Sequence, residues 1–280
     1  VVNFATALIS NHETTLRLGF FLSIFTTMVV WEFYTPCRPL LMSRWVRWSS
    51  NLGIVVLNSV VLRLLFPLAA SSVALIAQQR EWGVLNQLSL GSGAEWLIAI
   101  VVLDLAIYLQ HRLFHKVPLL WRLHRMHHAD LDYDVTTGAR FHPLEIILSM
   151  LIKFAVVVLI GAPVEAVVLF EILLNATAMF NHGNIQLPSK VDQSLRLLIV
   201  TPDMHRVHHS LRGDETDSNF GFSLSWWDRW LGTYIAQPID GHQQMVIGIP
   251  QFHHPDENRL HRMLTQPFRN DPNRVEESHP

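Results

Sequence analysis

The stretch LEIILSMLIKFAVVVLIGAPVEAVVLFEILLNATAMFNH, residues 144–182, decides the fold. A helix needs about 20 mostly apolar residues to cross the hydrocarbon core of a bilayer, so this run is too long for one crossing. It is interrupted at GAPVE, 161–165. Glycine followed by proline predicts two helices, 144–160 and 164–182, joined by a tight turn. A hairpin of this kind leaves one membrane face and returns to it. The chain before 144 and the chain after 182 are therefore expected on the same side.

Working outward, three more apolar segments have spanning length: LRLGFFLSIFTTMVVWEFY at 16–34, NLGIVVLNSVVLRLLFPLAASSVALIA at 51–77, and AEWLIAIVVLDLAIYLQ at 94–110. Arg63 and Pro67 interrupt the second. The composition agrees: 50% of the 280 residues are hydrophobic and 16% are charged, against about 25% charged in ordinary soluble domains. The expected fold is all-α, a multi-pass transmembrane bundle of four to five apolar helices with a histidine-rich helical cap. A soluble all-α protein with buried helices is the competing reading. Loop 35–50 carries Arg38, Arg44 and Arg47, and segment 111–140 carries Arg112, Lys116, Arg122, Arg125 and Arg140. Between them, 78–93 has only Arg80, offset by Glu81. The positive-inside rule puts 35–50, 111–140 and everything after 182 in the cytoplasm. Residues 1–15 contain Glu13 but no Lys or Arg, so no signal peptide is expected there. The expected division is an N-terminal transmembrane region at 1–93, a catalytic region at 94–234 and a polar C-terminal tail at 235–280. A net charge of −2 argues against a nucleic-acid surface. Cys37 is the only cysteine, which excludes an intrachain disulfide and a thiolate metal cluster.

Ten of the 16 histidines lie between 111 and 209. HRLFH supplies His111 and His115, HRMHH supplies His124, His127 and His128, and HRVHH supplies His205, His208 and His209. On a helix, residues three and four apart share a face, so each cluster presents its imidazoles together. Imidazole is the commonest metal ligand, and eight histidines in three such clusters predict a metal site. His142 and His182 stand alone and are added as expected ligands. So many imidazoles exceed the needs of one ion, and two ions are the economical reading. Imidazole suits zinc, copper, iron and nickel alike. The place of the clusters, beside lipid at the end of a span, favours iron with O2, because an alkyl chain offers no hydrolysable bond and its C–H bonds need an oxidant.

Carboxylates inside spans are costly and usually have partners. Asp104 shares a helical stripe with Tyr108, His111 and His115, and is expected either to orient an imidazole or to pair with Arg63 or Lys153. Glu171 is expected to pair within the bundle. Glu145 serves either as support for a ligand or as a charge favoured at a helix N-terminus. Asn181 is a third supporting candidate.

The ordered motifs HRLFH, HRMHH, FHPLE, FNHGN and HRVHH, followed by NFGFSLSWWDRWLGTY at 219–234, resemble those of the fatty acid hydroxylase or sterol desaturase superfamily across about 94–250. The resemblance implies a multi-pass membrane enzyme with two iron ions in a cytoplasmic histidine cage. It also implies O2 as co-substrate, an external electron donor and a lipid substrate that is hydroxylated or desaturated. Carried over by motif, His111, His115, His124, His127, His128, His205, His208 and His209 are ligands, with His142 and His182 matching histidines that many members carry. Trp226, Trp227 and Asp228 are expected to pack the cap. No G-x-G-x-x-G occurs, so electrons are expected to come from a separate protein of ferredoxin or cytochrome b5 type. His12, His242, His253, His254, His261 and His279 lie outside the motifs and read as surface or structural. Two rivals from other classes remain. A zinc-dependent membrane hydrolase would need H-E-x-x-H, and His12-Glu13 is the only His-Glu pair. A metal transporter would place its ligands at mid-membrane.

Overall fold

A computed structural model of the chain describes residues 4–269, and His279 lies outside them. Among the described residues the architecture is all-helical, with three isolated β-bridges and no strands. The long helices are α1 (Phe4–Tyr34), α2 (Arg44–Leu65), α3 (Ala70–Gln79), α4 (Ser92–Lys116), α5 (Pro118–His128), α6 (Pro143–Ile160) and α7 (Val164–Asn181). Two short helices follow, α8 (Ser189–Leu195) and α9 (Pro202–His208), and then a series of single turns. Among the described residues five segments are long and apolar enough to cross a membrane: His12–Tyr34, Arg44–Gln79, Ser92–Lys116, Pro143–Ile160 and Val164–Asn181.

The expected hairpin is present. Pro143 begins α6 at the position where a missing N–H costs nothing. Gly161 ends it in the left-handed region with φ 68°, the conformation glycine adopts without a Cβ penalty. Gly83, with φ 90°, approaches Gly161 so closely that a Cβ there would overlap the Gly161 backbone. Only Glu145 and Val157 of α6 are buried. An apolar helix that leaves most of its surface uncovered is stable when lipid covers it.

The segment expected as one span at 51–77 is divided. Proline has no N–H and disfavours helix in the residue before it, and Phe66 is extended at φ −121°, ψ 92°. The chain resumes as α3. The two pieces still follow one path away from the cap. Asn58 Nδ2 donates to Phe141 O beside the start of α6, Phe66 packs edge-on against Phe154, and Val84 N donates to Leu159 O at the far end. The first part of α2 belongs to the cap, with Arg47 and Trp48 bonded to the loop at 130–137.

α1, α4 and α7 run toward the cap, while α2–α3 and α6 run away from it. Ala74, Ala99, Leu103, Val157, Val167 and Phe170 form the buried core where α3, α4, α6 and α7 meet. Near mid-depth, Glu171 pairs with Lys153 and Arg17, the bundle pairing expected of it. At the cap end of α1, Glu32 accepts from the backbone N–H groups of Val135 and Asn184. All the motif histidines thus gather at one end of the bundle.

Candidate metal centre

The helix ends at the cap bring nine imidazoles into two adjoining groups. His111, His115, His124, His128 and His208 form one, and His127, His182, His205 and His209 form the other. Within each group one ligand atom per residue lies within 4.8 Å of all the others.

The helical repeat explains the partition. On α5, His124 and His128 are four residues apart and face the first group, while His127 faces the second. At α9 the assignment is reversed: His205 and the adjacent His209 face the second group and His208 the first. α4 adds His111 and His115 to the group of five, and the end of α7 adds His182 to the group of four. The groups share a wall, with the His128 and His209 rings stacked at 4.5 Å between centroids.

Hydrogen bonds fix several rings. His124 Nδ1 donates to Glu145 Oε1 at 2.7 Å, His111 Nδ1 to Phe220 O at 2.8 Å, His208 Nδ1 to Ser218 O at 2.6 Å and His182 Nδ1 to Ala178 O at 2.8 Å. Each bond places the ring proton on Nδ1 and leaves Nε2 as a bare acceptor. Three of those acceptors converge: His111 Nε2 lies 3.1 Å from His124 Nε2 and 3.0 Å from His208 Nε2. In the other group His182 Nε2 lies 3.2 Å from His127 Nε2, whose own Nδ1 has no protein partner. Lone pairs aimed at one another repel unless a cation lies among them. Both ring nitrogens of His128, His205 and His209 are also buried without a protein partner.

Burial, reinforced by the neighbouring imidazoles, pushes His127, His128, His205 and His209 well below the usual histidine range. His208 falls to about 3 and His182 to about 4, for burial first in each case. These rings are neutral at pH 7, the form that binds metal. The donor set therefore fits two imidazole-bound ions.

Nine of the ten expected histidines enter the groups. His142 does not. It is the N-cap of α6, where its Nδ1 accepts from Leu144 N, and its Nε2 is 3.3 Å from Leu264 O. Glu145 lies in the first turn of α6, and its Oε1 accepts from His124 Nδ1. Asp104 orients no imidazole: its Oδ2 accepts from the Trp227 indole at 2.8 Å and from Leu224 N at 3.1 Å, rather than pairing with Arg63 or Lys153. Asn181 donates to Phe222 O, and its own carbonyl accepts from Tyr133 Oη. It thus positions the aromatic wall rather than a ring. Asp228 accepts from Phe220 N and Gly221 N, holding the loop whose carbonyls fix His111 and His208. His242 is partly buried beside Arg206 and Asp203, and His12, His253, His254 and His261 are exposed.

Sequence reading missed the anchor beneath the cage. Directly after His128, the loop ADLDYD places Asp130 and Asp134 on the fully buried Arg47, with bonds of 2.6–2.9 Å. Burial opposes the Asp130 charge, but Arg47 and Arg140 outweigh it and hold the carboxyl below the usual range. Three alternating aspartates beside a histidine triplet were the available signal. Gly138 lets the same loop meet α7, because a Cβ there would be 2.7 Å from Ala178 O and 3.1 Å from His182 Nδ1.

A cavity of about 320 Å³ reaches from His111 and His124 into the bundle between α1, α2, α4, α6 and α7.

Fold and cage define a class first: an all-helical protein with five candidate membrane crossings and a paired imidazole centre at one end of its bundle. The chain belongs to the fatty acid hydroxylase family, whose model matches residues 96–233. It is 28% identical over 180 residues to ornithine lipid hydroxylase OlsE of Rhizobium tropici, covering 62% of this chain and 51% of that protein. It is 28% identical over 174 residues to alkylglycerol monooxygenase of Homo sapiens, covering 57% and 36%. Very-long-chain aldehyde decarbonylase GL1-9 of Oryza sativa subsp. indica is 29% identical over 183 residues, covering 64% and 66%. The matched region thus spans only about half of the hydroxylase and about a third of the monooxygenase. No solved structure matches the chain.

Proposed function

We propose that the protein is an O2-dependent di-iron oxidoreductase that hydroxylates an aliphatic C–H bond of a membrane lipid, drawing electrons from a separate ferredoxin or cytochrome b5 type protein. The observation that carries this reading is the convergence of imidazole nitrogens in two buried groups, at the mouth of a cavity between apolar helices. The named activities of two of the relatives, a lipid hydroxylase and an alkylglycerol monooxygenase, support a lipid substrate. The arginine-bearing segments around the cage support its placement on the cytoplasmic side.

His111, His115, His124, His128 and His208 would hold one iron, and His127, His182, His205 and His209 the other. Iron bound there supplies O2 activation and the oxidising power that an unactivated C–H bond requires. Overall, one oxygen atom enters the C–H bond and the other leaves as water, with two electrons and two protons from the donor. The chain's own residues do the rest. Glu145 and the carbonyls of Phe220, Ser218 and Ala178 keep rings turned inward. Phe114, Phe141, Phe220, Phe222 and Tyr133 pack against these rings and exclude water. The cavity holds the lipid so that one carbon faces the centre, which is the positioning part of catalysis.

The test is turnover under isotopically labelled dioxygen in the presence of a reductant and a membrane lipid extract. Label in a new lipid hydroxyl is expected. Oxygen derived only from water would overturn the reading and favour the zinc hydrolase.

A further inference from the structure

A protein that donates electrons cannot touch the cage itself. Eight of the nine cage histidines are buried, and the side chain of the ninth, His115, is 1% exposed. Electrons arriving at the cap must cross a side chain that meets both the surface and the imidazoles. Several aromatic rings pack on the cage. Phe114, Phe220, Phe222 and Tyr133 are themselves buried, and Phe141 faces the cavity within the bundle. Trp121 differs from all of these. It is partly exposed and lies outside that cavity. Its ring centroid is 4.8 Å from that of His115 and 5.3 Å from that of His128.

The helical repeat accounts for this contact. On α5, Trp121, His124 and His128 follow one another at steps of three and four residues and share a face. Ala129, Ile249 and Phe252 pack against the same indole and fix its orientation. His128 stacks in turn on His209 of the second group, at 4.5 Å between centroids. One line of touching rings therefore runs from the cap surface to both groups. Electron tunnelling weakens steeply with every ångström of gap, and a conjugated ring against the ligands bridges a gap better than a saturated side chain does.

Charge indicates what docks there. Between Asp104 and Asp130 the chain carries Arg112, Lys116, Arg122 and Arg125 and no Asp or Glu. Lys116 pairs with Asp217. Arg122, the neighbour of Trp121, is partly exposed and donates to the carbonyl of Pro267 at 2.7 Å; it forms no ion pair among the described residues. An acidic surface complements this strip, and complementary charge speeds encounter in a salt-dependent way.

Resting on the oxygenase reading, we propose that Trp121 is the residue through which electrons enter the cage. An acidic one-electron carrier protein docks over Trp121 and Arg122, and its electron crosses the indole to the ion held by the group of five. Each carrier is oxidised by one electron, so two dockings supply the two electrons of a turnover. Trp121 is itself neither oxidised nor reduced.

The test mixes the iron-loaded full chain in detergent with reduced soluble cytochrome b5, or with a reduced plant-type ferredoxin, in the absence of O2. The absorbance of the carrier reports its oxidation, and calorimetry with the oxidised carrier reports binding. In Trp121→Leu the limiting rate at saturating carrier should fall by about tenfold or more while the binding constant changes by less than about threefold. Trp121→Phe, which keeps a ring in the gap, should recover most of that rate. Iron content is measured in each variant, and if the leucine chain loses iron the comparison is made with Trp121→Met. Arg122→Glu should do the opposite, weakening binding by about tenfold at low salt and by less at high salt, with the limiting rate retained. An unchanged limiting rate in an iron-replete variant without the ring would overturn the proposal, as would binding indifferent to Arg122→Glu. The two readings fail separately. Carrier oxidation that depends on Trp121, without label from dioxygen in turnover, would leave the entry route standing and sink the oxygenase reading. Labelled product driven by a chemical reductant, from a chain that oxidises neither carrier, would do the reverse.

Discussion

His127 and His128 are neighbours in sequence yet face different groups, because successive helical positions diverge while positions three and four apart converge. The group assignments follow from that geometry, and so does a stoichiometric prediction. His182→Ala removes one of four imidazoles from the second group and should lower bound metal from about two to about one ion per chain, measured by elemental analysis. His142→Ala should leave the metal content unchanged and reduce stability by about 1 kcal/mol, the usual cost of a lost N-cap, seen as a lower unfolding midpoint in detergent. Metal loss from His142→Ala would contradict its role as a cap. The two residues also show where sequence reading succeeds and fails. Eight cage histidines repeat at helical ligand spacing, so the pattern itself announces a shared face. A solitary histidine before proline uses the same Nδ1 lone pair to cap a helix, and its letters cannot tell cap from ligand. Asp104 escaped for another reason. Its partner, Trp227, lies 123 positions away, beyond the reach of any local periodicity.

At the level of elements, the cage is supported by contacts between segments distant in the chain. α2 enters the cap with Arg47, which holds Asp130 and Asp134 immediately beyond the first histidine triplet. Removing one partner from a buried ion pair leaves the other charge uncompensated, at roughly 3–5 kcal/mol. Arg47→Ala should therefore lower the unfolding midpoint markedly and weaken metal retention, whereas removing the exposed Lys116–Asp217 pair should change stability by less than about 1 kcal/mol. Equal effects of the two changes would refute the anchor. The hairpin of α6 and α7 was legible because glycine and proline interrupt an apolar run of excessive length. The Pro67 break was visible too, but the run around it concealed that α2 begins in the cap and only its later part joins α3 in the bundle.

For the whole molecule, three helices lead into the cap and two lead out, and this alternation gathers every cage residue at one end. Burying so many imidazoles couples stability to pH. The folded rings have lowered affinities for protons, His182 near 4 and His208 near 3, whereas an unfolded histidine titrates near 6.5. Below about 6.5 the unfolded chain takes up protons that the fold refuses. The stability these histidines contribute is present above that pH and is lost as pH falls toward the folded values. A chelator-stripped sample should thus show an unfolding midpoint that drops as pH decreases from about 6.5 to 4. A flat midpoint over that window would mean that the rings are not buried as neutral groups.

The most direct measurement is the metal content of detergent-purified protein expressed with iron supplied and zinc kept low. About two irons per chain are expected, falling to about one in His182→Ala. A single ion per chain, or zinc retained stoichiometrically against excess iron, would contradict a di-iron centre built from groups of five and four histidines.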